Sequence, residues 1–105
     1  MDMNVTFEAI KASSGNSFVN ETESQVILNG SRDISFTMDL VLKDVGLFNE
    51  LAQRQGFDLE IAPFIVDIFK DGEKRYGSRE FSPNIIKRLE ESADVDVLGL
   101  SLIHI

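Results

Sequence analysis

The residue best placed for chemistry is Lys43, which stands beside Asp44 in the segment FTMDLVLKDVGLFNELAQRQG, residues 36–56. Phe36, Leu40, Leu47 and Leu51 recur there at helical spacing, which predicts one long helix with an apolar stripe. Lys43 comes seven residues after Phe36 and four before Leu47, so it falls at the edge of that stripe. A lysine so placed can pack its stem on carbon and extend its ammonium into a cleft, offering one positive charge to an anionic or polar ligand. The other reading is an ordinary surface pair with Asp39, four residues earlier and in the favourable acid-before-base order, worth about 0.2–0.5 kcal/mol. Asp44, placed near Leu40 and Phe48, needs a hydrogen-bond partner if buried, such as a neighbouring helix end; the second reading is a catalytic carboxylate.

Ser13-Ser14-Gly15-Asn16-Ser17 is a second polar cluster. Its hydroxyls and amide can bind a small polyol or carboxylate, but caps and a glycine are also what a helix–turn–helix junction needs. The acid pairs Glu21/Glu23, Glu90-Glu91 and Asp94/Asp96 follow no calcium-loop spacing and read as solvated faces. Phe36 and Phe48 can wall a pocket or belong to the core. There is no cysteine and a single histidine, His104, so thiolate sites, disulfides and histidine clusters are excluded.

Five helices must position these residues. The first spans Val5 to Ala12, capped by Asn4, with Val5, Ala9 and Ile10 inward, and is broken by a left-handed turn at Gly15. The second runs from about Ser17 to Leu28 and stops at Asn29-Gly30. The third runs from Phe36 to Gly56. The fourth runs from Ile61 to Tyr76, with Pro63 in its first turn and Ile61, Phe64, Ile65, Ile68 and Phe69 as its apolar face, and Gly77 ends it. The fifth opens with Ser82 as cap and Pro83 at the first position and runs to about Ser92. The expected fold is all-α, a compact bundle of about five helices over residues 1–93. Residues 94–105 form an apolar tail, including Leu100, Leu102, Ile103 and Ile105, that suits a strand, a short helix or a segment with no evolved role equally.

The chain has 105 residues, enough for one domain with a modest core, since 43% are hydrophobic. A formal net charge of -8 argues against nucleic acid and anionic membrane surfaces as partners. No apolar run has the length of a membrane helix, and MDMNVTFEAI lacks a basic flank and an apolar core. The expectation is a soluble cytoplasmic protein.

Phe36, Lys43-Asp44, Gly46-Leu47 and the helix running to Gly56 resemble the "F…KD-x-x-L" segment of the C-terminal domain of the β-hydroxyacid dehydrogenases, which include 3-hydroxyisobutyrate dehydrogenase and tartronate semialdehyde reductase. Ser13-Ser14-Gly15 resembles the "SSG" turn of the same enzymes. The likeness covers about Val5 to Leu89 in helix order, and only these two segments are specific. It implies the helical C-terminal fold of 6-phosphogluconate dehydrogenase-like enzymes, NAD or NADP as cofactor, Lys43 as the cofactor contact, and a homodimer. It also implies a partner Rossmann domain, because the family's Gly-x-Gly-x-x-Gly turn is absent here. The family's catalytic "G-x-G-x-x-x-K-x-x-N-N" segment is absent too, and neither Lys11 nor Lys43 is followed by Asn-Asn. The 105-residue chain is therefore expected to carry no catalytic residue, no metal and no activity alone. The alternative is a stand-alone helical interaction module without catalysis.

Overall fold

A computed structural model describes residues 2–98. Among them the chain is all-α, as the periodicity predicts. The helices are α1 (Met3–Lys11), α2 (Phe18–Leu28), α3 (Met38–Arg54), α4 (Ile61–Tyr76) and α5 (Lys87–Ala93), with a 3-10 turn over Ser82–Ile86 before α5. The one β-type pairing among the described residues is an isolated antiparallel bridge between Thr37 and Phe81. Among the described residues no helix is long and apolar enough to cross a membrane. The chain divides into two compact units, one made of the residues up to Ile34 and from Ile86 onward, the other of Ser35–Ile85.

In the first unit α1 packs on α2. The Asp2 carboxylate, rather than Asn4, caps α1 by accepting from the backbone N–H groups of Asn4 and Val5. Phe7 is the buried residue of this helix, while Val5 and Ile10, expected inward, are exposed. A nine-residue helix that meets one neighbour covers a single row, and the largest side chain takes it. Ser17 caps α2, its hydroxyl accepting from the Asn20 N–H at 2.9 Å. Gly30 follows the helix at φ 84°, a conformation glycine adopts without strain. The Arg32 guanidinium reaches Glu90 of α5 at 3.1 Å.

The second unit is built on α3 and α4, which pack side by side. Met38, at the start of α3, is fully buried. Gly72 of α4 makes room for it: a Cβ at that position would sit 2.5 Å from Ile85 Cδ1 and 3.4 Å from Met38 Sδ. The orphan donors of the first turn of α3 are met by main chain. Met38 N donates to Glu80 O and Asp39 N to Ser78 O, both at 3.0 Å, and Ser82 N donates to Phe36 O at 2.7 Å. This clasp ends the extended segment at Thr37, so α3 begins two residues after Phe36. α4 has the predicted bounds, and Gly77, at φ 103°, terminates it.

Several expected details are corrected. Leu47 and Leu51 are 57% and 58% exposed, and Ile61 and Phe64 are more exposed still. The helical stripes exist, but α3 and α4 pack chiefly on each other, and the rows turned away from that contact stay exposed. Ser82 does not cap α5. It is 3% exposed, its amide is held by Phe36, and its hydroxyl has no partner among the described residues. The single predicted fifth helix is thus a 3-10 turn followed by a short α-helix. Residues 94–98 form turns, with Val97 N donating to Glu90 Oε2 at 3.0 Å and Leu98 N to Asp96 Oδ1 at 2.7 Å. His104 and the tail residues Leu100, Leu102, Ile103 and Ile105 lie outside the described residues.

Candidate functional site

The site centres on the first half of α3, where Asp39, Lys43 and Asp44 lie within two turns. Lys43 follows Asp39 by four residues, yet the surface pair between them does not form. Both oxygens of Asp39 are engaged elsewhere. Oδ1 accepts from the Thr37 hydroxyl and, at 2.9 Å, from the Leu40 N–H; Oδ2 accepts from Arg79 Nη1 at 3.1 Å. The Thr37 hydroxyl chiefly, and the Arg79 guanidinium and Leu40 amide with it, hold the Asp39 carboxyl below the usual carboxylate range, against an opposing pull from partial desolvation. Sequence reasoning missed Arg79, whose partner lies forty residues away and is brought near by the clasp between residues 36–39 and 78–82.

Lys43 keeps a side chain 61% exposed, and its ion pair is a long one, 3.8 Å to Asp44 Oδ1. A pair at that distance between two exposed groups is worth little and is readily exchanged for another anion. Asp44 is 58% exposed, which corrects the expectation of a carboxylate held against the apolar side by a helix end. The arrangement is a solvent-facing cation on a rigid helix, with its nearest upstream acid already occupied.

The Ser13–Ser17 cluster lies in the other unit. Its polar groups serve the turn. The Ser13 hydroxyl donates to Ile10 O at 2.7 Å and accepts from Gly15 N at 3.1 Å, Asn16 Oδ1 accepts from Asn20 Nδ2, and Ser17 caps α2. The left-handed turn expected at Gly15 is absent, because Ser13 closes the junction with ordinary backbone angles. Below the turn, Ser24 Oγ donates to Asn20 Oδ1 at 2.8 Å, at the wall of an apolar cleft of about 130 Å³ lined also by Phe7, Ile27 and Leu28.

Two of the acid pairs are less solvated than expected. Glu90 is 13% exposed and holds both Arg32 and the Val97 amide. Glu23 is half-buried, and desolvation raises its carboxyl above the usual range. Among the described residues no cluster of three or more acidic or histidine side chains can hold a metal ion.

Over 85 residues, 81% of the chain, the sequence is 26% identical to an uncharacterized oxidoreductase of Shewanella frigidimarina. The chain spans only 29% of that relative's length. No solved structure matches it significantly. Residues 1–89 match the family described as "NAD-binding of NADP-dependent 3-hydroxyisobutyrate dehydrogenase". A match over that much of the chain shows that this protein belongs to the NAD-binding family of the 3-hydroxyisobutyrate dehydrogenases, a family of NAD(P)-dependent oxidoreductases.

Proposed function

We propose that this chain is the helical C-terminal, cofactor-covering domain of an NAD(P)-dependent 3-hydroxyisobutyrate dehydrogenase-like enzyme that acts on a small β-hydroxy acid. The family match over residues 1–89 is the observation that carries this reading. In it, Lys43 faces the dinucleotide, a Rossmann domain of the longer protein is the partner, and the domain also pairs with a second copy.

The residues present fit such a cofactor from one side. The Lys43 ammonium is exposed and loosely held, so it suits a phosphate or carboxamide oxygen. The glycine-rich turn that cradles a diphosphate is not in the sequence. When bound, the nicotinamide supplies the hydride acceptor or donor. This chain's part is to fix a positive charge beside it on a helix and to exclude water, which strengthens that charge's effect. A general acid/base for the reacting oxygen has to come from elsewhere, since the catalytic-lysine segment is absent here.

A second reading, an interaction module without catalysis, draws on the exposed Leu47, Phe48 and Leu51. An assay of the 105-residue chain with NAD and NADP against a panel of β-hydroxy acids tests the proposal. No hydride transfer is expected. Turnover above a protein-free control would overturn the reading of the chain as a covering domain.

A further inference from the structure

We propose that Arg79 is a positioning residue for Lys43: together with Thr37 it occupies the Asp39 carboxylate and so keeps Asp39 from closing onto the Lys43 ammonium. The inference rests on the proposed role of Lys43 as the cation offered to a ligand. Asp39 and Lys43 stand one helical turn apart on α3, in the order that favours an acid–base pair. Such pairs form readily on exposed helix surfaces, yet this one is absent while both Asp39 oxygens are taken, Oδ2 by Arg79 at 3.1 Å and Oδ1 by Thr37 and the Leu40 amide. The Asp44 carboxylate, 3.8 Å from Lys43, gives only a long exposed contact in its place. Arg79 itself is exposed and comes from the loop after α4, so the device is a side chain laid onto the helix from outside it.

The test reads the free ammonium of Lys43 directly. Competitive acylation of the intact chain by trace acetic anhydride, followed by peptide mass spectrometry, compares Lys43 with Lys11 as internal reference. In Arg79→Ala the freed Asp39 pairs with Lys43, and Lys43 acylation should fall by about 1.4- to 2.3-fold, the strength of a helical pair. Arg79→Lys, which can hold Asp39, should restore the wild-type ratio. In an Asp39→Asn background, Arg79→Ala should have no effect. Unchanged acylation in Arg79→Ala would overturn the proposal, as would an equal fall in the Asp39→Asn background, which would trace the effect to the lost charge of Arg79 alone. If Arg79→Ala loses its helical circular dichroism, Arg79→Met, which keeps an apolar stem and carries no donor, makes the same comparison. Because no cofactor enters the assay, a positive result stands even if Lys43 proves idle toward nicotinamide dinucleotides, so the two readings fail separately.

Discussion

Asp39 and Arg79 are forty residues apart in sequence and 3.1 Å apart in the fold. The contact ties the start of α3 to the loop after α4, where Met38 and Asp39 also donate to the carbonyls of Glu80 and Ser78. Because the Thr37 hydroxyl, Arg79 and the Leu40 amide depress the Asp39 carboxyl, the folded state binds its proton more weakly than the unfolded state does. Its contribution is therefore present above the unfolded value of about 3.9 and is lost as pH falls through the depressed one. Asp39→Asn should lower the urea midpoint at pH 7, and the gap to wild type should close below about pH 3.9. A gap of constant size down to pH 2 would show that the carboxylate charge is not what stabilises the clasp.

Glu23 behaves in the opposite sense. Burial raises its carboxyl, so the folded state favours the protonated form. That advantage is full below the unfolded value of about 4.3 and is lost as pH rises through the raised one. Glu23→Gln should therefore raise the melting temperature at pH 7 and change it little at pH 4. A lower melting temperature at both values would mean that the carboxylate makes a favourable contact.

Met38 and Leu47 separate the buried row of α3 from its exposed one. Met38 is fully buried against Gly72, whereas Leu47 is 57% exposed. Met38→Ala should cost about 2–5 kcal/mol in denaturant unfolding, and Leu47→Ala less than about 0.5 kcal/mol. Equal losses would indicate that Leu47 is covered in solution.

Much of the helical architecture was legible in the sequence. α4 was readable to its end residues because Pro63 and Gly77 punctuate a clear periodicity, and Ser17 and Asn29-Gly30 bracket α2 in the same way. Periodicity marks which residues share a row but not how many neighbours a helix meets, so Val5, Leu47 and Leu51 repeat with the inward rows and yet lie exposed. Phe36 repeats with the stripe, yet its carbonyl is used by Ser82, a long-range bond with no local signal. For the candidate site, helical spacing places Lys43 at the edge of the stripe, and its side chain is exposed on α3. The identity of Asp39's partner has no such signal, because it depends on the clasp that brings Arg79 back to α3.

The exposed apolar residues lead to an expectation about assembly. Leu47, Phe48 and Leu51 on α3, and Ile61 and Phe64 on α4, are each more than half exposed on two helices packed together. Large apolar side chains left exposed on this scale favour association, and a twofold dimer is the commonest form. Sedimentation equilibrium should give a dimer whose dissociation constant rises in Phe48→Glu and Phe64→Glu variants that keep their helical circular dichroism. A monomer at all concentrations would remove the second copy from the account.

In the proposed function, α3 presents Lys43 to a nicotinamide dinucleotide. Titrating the isotopically labelled chain with NADPH and with NADH, and following amide and lysine side-chain resonances, addresses it most directly. The account predicts perturbations centred on residues 39–47 for at least one of the two dinucleotides, lost in Lys43→Ala, which should stay folded because alanine favours the helix. Resonances around Lys43 that do not move, or that move equally in Lys43→Ala, would contradict it.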